Sequence, residues 1–148
     1  MSRSVTAMKA AVIFESLTGN TRKAGERIAE GFRAEGVDVT TVDPLRSINL
    51  QALADADLVI VGGWTDGLIL FGQKPGMSWK LRAMPALAGK KALVYATYAV
   101  EAGKVVPKLS SIVESRGAEV LGGLAIKRTK LAQGAEQFVT GALASLKV

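Results

Sequence analysis

The chain has 148 residues, no cysteine, no histidine, and 19 lysines and arginines against 13 acidic residues, a formal net charge of +6. The missing side chains exclude a Ser-His-Asp triad, a cysteine nucleophile, a disulfide framework and a soft-ligand zinc site. An all-carboxylate Mg²⁺ or Ca²⁺ site stays formally open, and no metal ligand is assigned. With 49% apolar residues the length suits one core, so a single domain over residues 1–148 is expected, with residues 1–8 as a loose N-terminal extension. Apolar stretches run to only a few residues, far short of the ~20 that span a bilayer, and residues 1–4 lead into no signal-peptide core. A cytoplasmic protein without a membrane span is expected.

Strand and helix patterns alternate along the chain. Residues 9–15 (KAAVIFE) form a short apolar run that fits a strand buried on both faces. Residues 20–35 switch to helical period, with Ala24, Ile28, Ala29 and Phe32 on one side, and Gly36 ends the helix. Residues 37–42 (VDVTTV) read as a less apolar strand at or near a sheet edge, broken by Pro44. A weak helix at 49–54 precedes a strand at 58–61 (LVIV), expected to end at Gly62-Gly63 and to open a long loop over residues 64–76. A short helix at 77–84 stops at Pro85, and a fourth strand covers 93–97 (LVYAT). A helix at 103–116 presents Val105, Val106, Leu109, Ile112 and Val113, and a fifth strand covers 120–126. The last helix aligns Ala135, Phe138, Val139, Ala142, Leu143 and Leu146 on one face. Five strands joined by helix-length connections imply right-handed crossovers and a parallel sheet covered on both faces, an α/β three-layer α/β/α sandwich.

Open parallel sheets hold ligands beyond the carboxyl ends of their strands, near the point where strand order reverses. After the first strand the chain reads Ser16-Leu17-Thr18-Gly19-Asn20-Thr21 and opens directly into a helix. Backbone N–H groups at a helix N-terminus, hydroxyls on Ser16, Thr18 and Thr21, and a glycine that permits close approach suit a phosphate. An ordinary helix cap would need one hydroxyl, and three surround this glycine.

This loop resembles the S/T-x-T-G-x-T phosphate loop of the flavodoxin family, and the order and spacing of elements resemble the short-chain form of that fold over nearly the whole chain. The resemblance implies sheet order 2-1-3-4-5, FMN as cofactor and electron transfer as the activity. It also implies that the flavin ring lies between the loops after the third and fourth strands. Here these are Gly63-Trp64-Thr65-Asp66-Gly67, whose indole suits stacking on a flavin, and Thr97-Tyr98-Ala99-Val100. The competing reading of Trp64 is loop packing against Phe71 or Trp79. Tyr98 departs from the family's usual arrangement, and whether it touches the flavin is left open.

Charge separates this chain from acidic flavodoxins. Residues 1–73 carry 7 basic and 9 acidic side chains, residues 74–130 carry 11 and 3, and residues 131–148 carry one of each. No Arg/Lys tract or aromatic-interleaved basic strand is present, so no nucleic-acid partner is expected. Only Asp66 and Glu101 stand in the two ring loops, which predicts a second reduction potential less negative than in acidic flavodoxins. Lys74, Lys80, Arg82, Lys104 and Lys108 near the rim predict a redox partner, reductase or acceptor, with an acidic surface.

A receiver-domain reading fails because Val61-Gly62-Gly63 stands where a phosphoacceptor aspartate is needed. The glycine strings of nicotinamide-binding and nucleoside-triphosphatase loops do not occur. Two alternatives to the electron carrier keep the fold. One is an FMN-dependent NAD(P)H:quinone or small-molecule reductase; the other is a flavin-free binding module. No side chain is assigned as acid, base or nucleophile.

Overall fold

Alternation along the first strand builds the architecture. In β1 (Lys9–Phe14) the side chains of Ala10 and Val12 enter one apolar core, while Ala11 and Ile13 enter another on the opposite face. The same split runs through β3 (Leu58–Asp66), with Leu58 and Ile60 on one side and Val59 and Val61 on the other. It recurs in β5 (Lys91–Tyr98), where Leu93 and Tyr95 oppose Ala92 and Val94. A strand apolar on both faces must be covered twice, and the helices divide accordingly. The structure, a computed structural model, describes residues 8–66, 74–76 and 78–146. Residues 1–7 of the expected N-terminal extension, Gly67 and Phe71 lie outside the described residues, as does the Trp79 side chain; Met8 is not loose, being buried in the first core with its carbonyl accepting from Asp38 N–H.

Helices α1 (Asn20–Ala34) and α5 (Leu131–Leu146) cover the first face through Ala24, Ile28, Ala29 and Phe32 and through Ala135, Phe138, Val139, Ala142, Leu143 and Leu146. Phe138 meets Phe32 and Tyr95 edge-on, with ring centroids 6.5 and 6.0 Å apart. Helices α2 (Leu50–Asp55), α3 (Ser78–Arg82) and α4 (Val105–Ser115) cover the second face through Leu53, Leu81, Leu109, Ile112 and Val113. A single 3₁₀ turn, Leu45–Ser47, precedes α2.

With β2 (Asp38–Pro44), β4 (Lys74–Pro75) and β6 (Glu119–Lys127), the strand order is β2-β1-β3-β5-β6. These five are parallel neighbours, and the two-residue β4 pairs antiparallel with the end of β3. Counting the parallel strands alone gives the expected order 2-1-3-4-5. β2 is an edge strand, as its weaker apolar pattern implies. Order reverses between β1 and β3, so the crevice beyond their carboxyl ends is the position for a ligand.

One boundary differs in a way that matters. β3 does not stop before Gly62-Gly63: the ladder continues through Gly62↔Tyr95, Gly63↔Ala96 and Trp64↔Thr97, then Thr65 and Asp66 pair with Pro75 and Lys74. The glycine at 62 serves packing. A Cβ there would fall far inside contact with the Tyr95 ring and hydroxyl. Trp64, Thr65 and Asp66 are therefore strand residues, Trp64 set by pairing with β5 and Thr65 and Asp66 by pairing with β4. Likewise β5 runs to Tyr98, which stands in the ladder opposite Lys127.

Candidate functional site

The turn after β1 is shaped by Gly19, whose φ of 95° belongs to the left-handed region that a side chain disfavours. Gly19 stands at the N-cap of α1, and no side chain caps this helix. Lys23 N–H donates to the Gly19 carbonyl at 3.0 Å, which starts the intrahelical ladder and leaves the preceding first-turn N–H groups of residues 20–22 without intrahelical acceptors. The hydroxyls reinforce this polarity. Ser16 Oγ accepts from Gly19 N–H at 3.1 Å and Thr18 Oγ1 accepts from Asn20 Nδ2 at 3.3 Å. Both therefore keep their O–H hydrogens for an outside acceptor.

Thr21 points the other way. It is 1% exposed, its hydroxyl lies 2.9 Å from Thr97 Oγ1, and it donates to the Gly63 carbonyl at 3.4 Å. Its own carbonyl accepts from the Tyr95 hydroxyl at 2.8 Å. Burial, with the nearby charge of Glu26, pushes the Tyr95 phenol far above its usual range, so it remains a neutral donor. These bonds tie the first turn of α1 to the ends of β3 and β5, the strands that carry both expected ring walls. The turn expected to hold a phosphate and the strand ends expected to flank a ring are thus one hydrogen-bonded unit.

A cleft of about 210 Å³ opens at the switch point. Its lining brings together Leu17, Thr18, Asn20, Thr21, Trp64, Thr65, Thr97, Tyr98 and Ala99, together with Arg128. Trp64 lies over Gly76, where a Cβ would overlap the indole ring, and Gly76 N–H donates to the Trp64 carbonyl at 2.7 Å. Contacts with Phe71 and Trp79 fall outside the described side chains. Among the described residues, nothing hydrogen-bonds the buried Trp64 Nε1 or Thr65 Oγ1. Two orphaned polar atoms beside an aromatic wall suit a planar ligand with a polar edge.

Five expected residues lie elsewhere. Ser16 and Gly19 border the far side of the loop, in a bay with Arg22, Arg46 and Lys80. Gly63 is buried and contributes its carbonyl to Thr21, while Asp66 is exposed in the β3–β4 pairing. Val100 does not line the cleft: the chain bends after β5 and leaves it 75% exposed. Glu15 is held by Lys80 at 3.5 Å between Nζ and Oε1.

Arg128 is the residue that sequence reasoning missed. Its N–H donates to the Tyr98 carbonyl at 2.9 Å, one step past the last ladder pair, Tyr98↔Lys127. Treating the end of the fifth parallel strand like the ends of the first, third and fourth would have singled it out.

An uncapped helix start, hydroxyl donors and two aromatic residues lining one cleft at the switch point mark a doubly wound α/β protein with a candidate ligand site there. The comparisons with known proteins agree with this class. The flavodoxin family profile matches residues 12–140. A flavodoxin of Clostridium beijerinckii is 28% identical over 93 residues, covering 63% of this chain and 67% of its own. Oxidised Flavodoxin 1 from Bacillus cereus aligns with a TM-score of 0.69 at 24% identity, over 94% of this chain and 97% of its own. The flavodoxin of Fusobacterium nucleatum, bound to flavin mononucleotide, aligns with a TM-score of 0.68 at 14% identity, over 95% and 99% of the two chains. The chain belongs to the flavodoxin family, whose proteins bind FMN. The orphaned donors of α1 and the orphaned Thr65 hydroxyl fit that group.

Proposed function

We propose that this chain is an electron carrier that holds FMN in the switch-point cleft. The observation that carries the reading is the uncapped first turn of α1, hydrogen-bonded through Thr21 to the strand ends that bear Trp64 and Tyr98. When bound, FMN supplies reversible one- and two-electron reduction, which no side chain of this protein can provide. The first-turn N–H groups, Ser16 and Thr18 would hold the phosphate through hydrogen bonds and the helix dipole. Trp64 and Tyr98 would flank the ring and limit water at its faces, and Thr65 Oγ1 would meet a polar ring atom.

The partner reading follows from charge. Exposed Arg46, Lys104, Lys127, Arg128 and Lys130 stand around the carboxyl ends of the strands and near the phosphate loop, with Glu101 and Asp66 as the exposed carboxylates of the two walls. Such a rim favours a reductase or acceptor with an acidic docking surface, and reduction by it should slow as salt is added. The reading carries with it the cytoplasmic location expected from the sequence, which cell fractionation checks. Among the described residues, no helix is long and apolar enough to cross a membrane.

Steady-state kinetics test the proposal. FMN-loaded protein should oxidise NADH or NADPH negligibly alone and be reduced rapidly through a reductase. Sustained turnover of NAD(P)H with a quinone by the protein alone would replace the carrier by the reductase reading.

A further inference from the structure

We propose that Arg128 contacts the phosphate of the bound flavin nucleotide and sets the preference for FMN over phosphate-free riboflavin. The inference rests on the FMN reading above and adds a residue outside the phosphate loop. Among the described residues that line the cleft, Arg128 is the one cationic side chain. Its backbone is fixed by the sheet, through the N–H bond to the Tyr98 carbonyl, so its side chain starts from a defined point.

Two cavities place this residue. Arg128 shares the cleft with Thr18, Asn20 and Thr21, the phosphate end. It also borders a groove lined by Lys23, Glu26, Arg27 and Glu30 along α1. A residue that lines both stands beside the first turns of α1, whose N–H groups at residues 20–22 lack intrahelical acceptors. No ion pair with Glu26 or Glu30 commits its guanidinium among the described residues.

The charge balance gives this position a task. A phosphate monoester carries a charge near −2 at neutral pH, whereas a helix N-terminus offers roughly half a positive charge. Ser16, Thr18 and the N–H groups add dipoles and no net charge. Arg22, Arg46 and Lys80 border the far side of the loop with Ser16 and Gly19; on the cleft side Arg128 adds a full positive charge, and its planar fork matches phosphate oxygens.

Fluorescence titration of the apoprotein with FMN and with riboflavin, on wild type, Arg128→Gln and Arg128→Lys, separates the outcomes. Riboflavin has the same ring and ribityl chain and lacks the phosphate. For Arg128→Gln the Kd for FMN should rise about tenfold while that for riboflavin changes less than about twofold. FMN binding should also lose part of its salt dependence, and Arg128→Lys should recover part of the affinity. Equal losses for both ligands would overturn the proposal by showing a ring contact or a general structural role, and unchanged FMN affinity would overturn it as well. If wild type takes up FMN and the variants match it, only this inference fails. If wild type takes up no FMN, the functional reading fails first and this inference with it.

Discussion

A methyl group at position 62 sets the β3 backbone against the Tyr95 ring. Gly62→Ala places a Cβ far inside contact with Tyr95 Cζ, Cε1 and the hydroxyl oxygen, so the ring must move. It has little room to do so. Tyr95 is fully buried, a Cβ on Gly25 would lie only 2.5 Å from its hydroxyl, and Phe138 closes another side at 6.0 Å between centroids. Overpacking a filled core costs about 1–3 kcal/mol, and pulling the hydroxyl from the Thr21 carbonyl adds about 1 kcal/mol. The sum is about 2–4 kcal/mol. For a chain of this size that lowers Tm by roughly 10 °C, and urea unfolding should show a lower midpoint with an unchanged slope. Tyr95→Leu removes the ring that the methyl strikes, so the double variant should be much less destabilised than the two single losses added together. Wild-type stability for Gly62→Ala, or simple additivity in the double variant, would refute the packing argument.

Thr97→Val keeps the volume and removes the hydroxyl 2.9 Å from Thr21. It should cost about 1 kcal/mol in urea unfolding and weaken FMN binding measured in parallel, because the first turn of α1 loses a tie to β5. Gly19→Ala meets open space, so its penalty is conformational alone, about 1 kcal/mol for a left-handed φ. Gly19→Asn should lose clearly less, since asparagine tolerates that region; equal losses would point to a contact instead.

Local signals carried most of the fold. β1 reads as buried on both faces because its apolar residues run without alternation, and its neighbours divide into two cores for that reason. The turn Ser16 to Thr21 was legible as a hydroxyl-rich helix start because its hydroxyls, its glycine and the helix it opens are contiguous. Gly62-Gly63 misled for a physical reason. A glycine pair after an apolar run looks like a turn, but the demand for Gly62 comes from Tyr95, which is distant in sequence and adjacent only in the ladder. The link between Thr21 and Thr97 is hidden in the same way. Strand ends misplaced Val100, because a bend immediately after Tyr98 turns it to solvent. Arg128 escaped notice because it stands one residue beyond the last paired position of β6.

Titration of apoprotein with FMN, followed by flavin fluorescence and repeated with Trp64→Ala, bears directly on the cofactor site. Wild type should take up one FMN per chain at submicromolar concentration, with strong quenching as the ring meets Trp64, and Trp64→Ala should bind more weakly and quench less. An apoprotein that leaves micromolar FMN free and fully fluorescent would contradict the proposed cofactor site.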